Sequence, residues 1–150
     1  MAEVAANHRL LGSAATWKRL PAAFIVTESI MLVLLTCLSL AVIDGDTLKC
    51  DGERLRLLGD GAPNVAGFDT PETYRPKCQA ELELGRAATS RMKELVQTPG
   101  LRIEDSGVRD KFGRKLVAVR LPDGSTAGAR MISEGYARKW YPGYRANWCA

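Results

Sequence analysis

AVIDGDTLKCDGERLRLLG, residues 41–59, is the stretch that decides the fold. Thr47 to Cys50 and the run from Glu53 flank Asp51-Gly52, and Asp-Gly between alternating residues is among the strongest hairpin signals in a sequence. In the second strand Leu55 and Leu57 share one face, while Arg54 and Arg56 point to the other. One face is therefore bound for a core and the opposite face carries two guanidiniums. Just upstream, Asp44 and Asp46 bracket Gly45 at the kink where an apolar run gives way to alternation, so two carboxylates leave a strand end together.

Downstream, GDGAPNVAG (59–67) has the Gly, Pro and Asn content of a surface loop and no period of its own. FDTPE (68–72) follows as a turn closed by Pro71. From Glu81 to Gln97, Leu84, Ala87, Ala88 and Leu95 recur at helical spacing until Pro99-Gly100 stops the run. LRIED (101–105) and KLVAVRL (115–121) read as strands, with Pro122-Asp123-Gly124 as the turn ending the second. A short helix is expected at about 127–134, with Gly135 where a left-handed terminal residue is wanted. This order of elements predicts an α+β, mainly β domain, a small barrel with helices attached.

Upstream, residues 1–22 are Ala-rich and without period, and read as a poorly ordered tail. Lys18 and Arg19 then precede an almost wholly apolar segment, 23–41, with Glu28 its single charge. That layout predicts a signal peptide or membrane anchor. The competing expectation is that Leu35 to Ile43 is a buried first strand, so that the segment merges with the barrel.

With 150 residues, 46% hydrophobic and 25% charged, the chain is long and apolar enough for one globular domain, and not a disordered one. Of its 21 basic and 17 acidic side chains, only Arg9, Lys18, Arg19, Glu3 and Glu28 precede Asp44. The net charge of +4 thus belongs mainly to the C-terminal two thirds, which suits a polyanionic partner. The four cysteines lack CxxC pairing and only His8 could join them, so a structural zinc site is not expected. Cys37 sits in the apolar run, leaving Cys50, Cys78 and Cys149 as candidates for a disulfide in an oxidising compartment.

The chemistry concentrates in two charge types. Asp44, Asp46, Asp69 and Glu72 lie at strand ends and turns, where carboxylates can converge on a hard cation. Arg56 and Arg114, the latter closing RDKFGR (109–114), offer bidentate forks for phosphate oxygens. A cation beside two guanidiniums makes a clamp for a phosphodiester attacked in line by water.

VIDGDT (42–47), RLRLLG (54–59), FDTPE (68–72) and RDKFGR, in that order, resemble the staphylococcal nuclease (thermonuclease) family over about residues 42–144. The resemblance implies a five-stranded OB-fold barrel with two packed helices within 42–150, and calcium-dependent hydrolysis of DNA and RNA. It implies that Asp46 and Asp69 bind Ca²⁺ through carboxylates and Thr70 through its backbone carbonyl, with Asp44 in support. Glu72 would activate the attacking water, and Arg56 and Arg114 would stabilise the phosphate's charge. Lys111 and Tyr141 would lie near the nucleotide. Phe112 stands where a tyrosine is often found, which removes one hydroxyl.

Two departures accompany the match. Residues 60–67 form an insertion beside the site, which either bulges into solvent or partly covers the substrate groove. The family's long third helix is missing, and a Cys78–Cys149 bridge would tie the tail down in its place. Nucleic acid is the implied partner, with no obligate protein partner and a monomeric state expected. The location expected is secreted, periplasmic or membrane-anchored. The alternative function is a non-catalytic single-strand-binding OB module using Arg109, Lys111, Arg138, Lys139, Trp140 and Tyr144. Trp140, Tyr141 and Trp148 also have a structural alternative, as packing for the barrel's open side.

Overall fold

A computed structural model describes residues 32–150. The elements run β1 (Val33–Leu35), β2 (Leu40–Asp44), β3 (Thr47–Cys50), β4 (Glu53–Leu57), β5 (Gly67–Asp69), α1 (Gln79–Leu95), β6 (Arg102–Arg109), β7 (Lys115–Arg120), α2 (Ala127–Ser133) and β8 (Arg138–Trp140). Six strands form one mixed sheet in the order β1-β6-β7-β4-β3-β2, and β5 pairs with β8 in a separate ribbon. All neighbours are antiparallel except β4 and β7. The fold is α+β and mainly β, of the OB type.

Asp51 and Gly52 both take positive φ, the twist that joins β3 to β4 directly, with Cys50 opposite Glu53. The period-2 reading holds along both strands: Leu48, Leu55 and Leu57 are at most 2% exposed. They meet Phe68, Val117, Val119 and Met131 in the core, together with Ala88, Met92 and Leu95 of α1. The spacing of the last three places them on one helical stripe, which covers the sheet.

The sheet has to curl, because its two edge strands are consecutive in the chain. A flat six-stranded sheet would separate its edges by about 24 Å at ~4.8 Å per strand. Leu35 to Leu40 is five residue steps and reaches about 17 Å at most. One bent stretch of chain thus supplies both edges, which is why six strands appear where five were expected.

The bend corrects one inference about the cysteines. The apolar run that set Cys37 aside is interrupted at Leu38 and Ser39, whose backbone N–H groups donate to the Asp51 carboxylate at 3.1 and 2.7 Å. The turn brings Cys37 to the end of β3, and a Cys37–Cys50 disulfide closes there. A second disulfide joins Cys78 to Cys149 across a sequence separation of 71. The expected tail at 1–22 and the first part of the expected leader or anchor, 23–31, lie outside the described residues, while the rest of that segment, 32–41, contributes β1 and the start of β2. Among the described residues no helix is long and apolar enough to cross a membrane.

The loop at 60–67 is built into the domain at both ends. Ala62 and Ala66 form a β-bridge across it, and Asp60 Oδ1 accepts a 2.7 Å hydrogen bond from Thr126 Oγ1, the buried N-cap of α2. Its last residue, Gly67, already belongs to β5.

Candidate active site

The site begins at the β2–β3 kink. A register shift between Val42 and Asp44 leaves Asp44 opposite Thr47 as the ladder's last pair, and the backbone N–H of Asp46 donates to Asp44 Oδ1 at 3.2 Å, tightening the Asp-Gly-Asp turn. Gly45 is required there by contact. A β-carbon on it would lie 2.8 Å from Thr70 Cγ2 and 3.0 Å from Ala88 Cβ, so this turn, the 70–72 loop and α1 converge at one point.

Asp46 is only 4% exposed. Its Oδ1 accepts from Thr47 Oγ1 at 3.0 Å and pairs with Arg56 Nη1 at 2.5 Å, and its Oδ2 accepts from the Thr70 N–H at 3.3 Å. Arg56 reaches it because the β3–β4 register sets Arg56 opposite Thr47. The same guanidinium donates from Nη2 to the Phe68 carbonyl at 2.9 Å and lies 3.7 Å from Asp69 Oδ1. Asp69 is carried there by β5, which the chain fixes by pairing it with β8, Asp69 opposite Arg138.

Negative charge exceeds what Arg56 compensates. Burial, then the neighbouring Asp46 charge, push the Asp44 carboxyl up to about 7. The same two causes raise Asp69, against the attraction of Arg56 and a hydrogen bond from the Trp148 side chain. Glu72 is raised by burial first and then by the charges of Asp46, Asp69 and Glu81. The 70–72 turn therefore holds Glu72 within electrostatic reach of both aspartates. Among the described residues, no three Asp, Glu, His or Cys side chains converge as a ready-made metal cage. Asp46 and Asp69 meet across Arg56 instead.

Arg114 stands apart from this cluster. Its Nε donates to Asp110 Oδ2 at 2.7 Å, and its guanidinium lies 5.3 Å from the centre of the Phe112 ring. What joins it to Arg56 is a cavity of about 410 Å³ that both arginines line, together with Lys111, Phe112 and Trp140. Lys111 Nζ sits 5.1 Å above the Phe112 ring. Tyr141 is not in this cavity. It lines a second one, and Trp140, its neighbour in the chain, lines both.

Two further residues belong to the neighbourhood. Glu81 is 3% exposed and its Oε2 accepts from the Lys77 N–H at 2.6 Å. Helical periodicity treats it as one polar position among many, but Cys78-x-x-Glu81 has the spacing of a capping box, and Cys78 is indeed the N-cap of α1. Trp148 is 7% exposed, with the Arg138 guanidinium 4.3 Å from its ring centre. No local signal in the sequence distinguishes it from the other tail aromatics.

A small OB-type β fold thus gathers acidic side chains around one arginine, with a second arginine across an open cavity. The chain belongs to the staphylococcal nuclease homologue family, whose model matches residues 64–147. It is 37% identical over 107 residues to the thermonuclease of Staphylococcus intermedius, covering 67% of this chain and 58% of that protein. It is 32% identical over 110 residues to the thermonuclease of Staphylococcus hyicus, covering 71% and 59%. A third relative, the endonuclease YhcR of Bacillus subtilis strain 168, is 31% identical over 107 residues, covering 67% of this chain and 8% of that protein. The chain thus spans about three fifths of the length of the two thermonucleases.

Proposed function

We propose that this chain is a calcium-dependent nuclease that hydrolyses phosphodiester bonds of DNA and/or RNA. The observation that carries the reading is the position of Arg56, whose guanidinium touches Asp46, approaches Asp69 and also lines the cavity shared with Arg114. Acidic cluster and phosphate clamp therefore meet at one residue.

The donor set fits calcium. Asp46 and Asp69 share a single arginine, and the raised carboxyls of Asp44, Asp69 and Glu72 mark negative charge in want of a cation. All are hard oxygens, as calcium requires, and its six to eight ligands at about 2.3–2.6 Å leave room for a carbonyl and water. Asp46 and Asp69 would hold the ion with the Thr70 carbonyl, and Asp44 would support them. When bound, the ion neutralises charge building on the phosphoryl oxygens.

The rest falls to the chain's own side chains. Arg56 and Arg114 grip the non-bridging oxygens of the scissile phosphate from two sides of the cavity. Glu72, its carboxylate made more basic by burial and like charge, accepts the proton of the water that attacks phosphorus in line. The P–O bond opposite the water breaks as the new one forms. Lys111 adds charge near a neighbouring phosphate, and Phe112, 71% exposed, offers a face for stacking without a hydroxyl.

A binding-only OB module accounts for the arginines and aromatics but not for the acids, because unneutralised carboxylates repel phosphate. Glu72→Gln should keep calcium and nucleotide binding while cleavage falls by about 10²- to 10⁴-fold, and chelation of the wild-type protein should abolish cleavage. Undiminished cleavage by the variant, or cleavage indifferent to EDTA, rejects the assignment. The two disulfides call for an oxidising compartment, so we place the domain outside the cytosol.

A further inference from the structure

We infer that Trp148 is a positioning residue for the cation site: held in place by the Cys78–Cys149 bridge, its indole fixes the Asp69 carboxylate, so that the bridged tail sets the affinity of the site for calcium. This inference rests on the nuclease reading and deepens it, adding a residue that acts only through Asp69.

Asp69 needs such a partner. It ends β5, a strand of three residues, where pairing with Arg138 places its backbone but leaves the carboxylate free to turn about its side-chain torsions. Arg56 does not fix it. That guanidinium is engaged by Asp46 and by the Phe68 carbonyl, and its 3.7 Å separation from Asp69 Oδ1 is too long for a well-formed hydrogen bond. The other partner is the Trp148 side chain, which hydrogen-bonds to Asp69 and whose one polar atom can only donate. Hydrogen bonds of this kind hold a metal-binding carboxylate in orientation before the ion arrives.

The tail gives Trp148 neither helix nor strand to stand on, so its position has to come from side chains and the bridge. It is 7% exposed, with the Arg138 guanidinium 4.3 Å from its ring centre, and the same arginine donates from Nη1 to the Asn147 carbonyl at 3.1 Å. Asn147 Oδ1 then accepts from the Cys149 N–H at 3.0 Å, and Cys149 is bonded to Cys78, the N-cap of α1. That helix lies against the backbone of the site's own turn, since a β-carbon on Gly85 would come 2.7 Å from the Pro71 carbonyl oxygen and 3.0 Å from that of Glu72. The bridge therefore ties the indole to the frame that carries Thr70 and Glu72, and the cation site is complete only in the bridged chain.

The test is calcium binding without nucleotide, measured by isothermal titration calorimetry on wild type, Trp148→Phe and Cys78→Ser/Cys149→Ser. Cleavage is assayed across the same calcium range, and thermal melts in EDTA verify each fold. Phenylalanine keeps a ring for Arg138 to cover but has no N–H to donate. Trp148→Phe should weaken calcium binding by about 10- to 100-fold, and saturating calcium should restore its cleavage. Loss of the bridge should weaken calcium binding as well. A tryptophan that served packing alone would lower the melting temperature of Trp148→Phe and leave the calcium affinity of the folded variant at the wild-type level; that result overturns the positioning role and leaves the nuclease reading standing. Wild-type affinity in Cys78→Ser/Cys149→Ser overturns the part assigned to the bridge. A wild-type protein that binds no calcium and cleaves no nucleic acid overturns the nuclease reading and the positioning role together.

Discussion

Replacing Cys78 and Cys149 together by serine removes the longer of the two cross-links and little else. Cys78 is the N-cap of α1, its Sγ accepting from the Glu81 N–H at 3.4 Å, and serine is a better cap than cysteine, so the helix start survives the change. The sequence separation of 71 gives a loop-closure contribution of about 4.4 kcal/mol in the chain-entropy treatment, against about 2.9 kcal/mol for Cys37–Cys50 at a separation of 13. In the tail beyond β8 only Trp148 is fully buried, with Tyr144 and Ala146 half-buried, so if it simply detached, the loss would shrink mainly to that indole's burial, about 2–3 kcal/mol. With a urea m-value of about 1.5 kcal/mol per molar, the midpoint should fall by about 1.5–3 M. The assay is urea unfolding of wild type, Cys78→Ser/Cys149→Ser and Cys37→Ser/Cys50→Ser, each purified under oxidising conditions. A midpoint for the Cys78/Cys149 variant within ~0.5 M of wild type refutes the reasoning, since the bridge would then neither restrict the denatured chain nor hold Trp148.

Two more outcomes follow from the carboxylate cluster and the core. Asp44, raised to about 7, keeps a proton in the folded state that the unfolded chain has released, so its contribution is complete below its ordinary value and is lost as pH rises through about 7. The carboxyls that ion pairs and hydrogen bonds hold low, Glu104, Asp105, Asp110, Asp123 and Glu134, have finished titrating above about pH 5. In EDTA, stability measured by urea melts should therefore decline between about pH 5 and 8, and added calcium should remove the decline; a flat profile in EDTA contradicts the charge excess. Gly128→Ala puts a β-carbon 2.5 Å from Phe68 Cε1 and 2.6 Å from the Gly59 backbone, overpacking that costs about 1–3 kcal/mol, so the melting temperature should drop by about 3–10 °C. An unchanged melting temperature would mean that α2 and the Gly59 turn are free to separate.

The hairpin, the long helix and the two middle strands were legible because each is specified locally. Asp51-Gly52 fixes a turn, Leu55 and Leu57 fix a face, and the stripe of apolar residues before Pro99 fixes a helix. The strands β1, β5 and β8 were not, since three residues carry no period and form only where a partner waits. Cys37 shows the same limit. Its pairing depends on a turn whose anchor, the Asp51 carboxylate, is 12 to 13 residues away along the chain.

For the site, residue types and order were enough to gather Asp44, Asp46, Asp69, Glu72, Arg56 and Arg114 as one group, because oxygen donors and guanidiniums announce their chemistry by composition, whereas Thr70 entered only through the family resemblance. Which of them touch was decided by the tertiary structure. Arg56 spans two aspartates, Arg114 meets it only across a cavity, and Trp140 rather than Tyr141 faces the clamp. The physical reason is that side-chain chemistry belongs to a residue, whereas distance belongs to the register of strands and the packing of loops. No local stretch of sequence contains the β5–β8 pairing that carries Asp69 to Arg56.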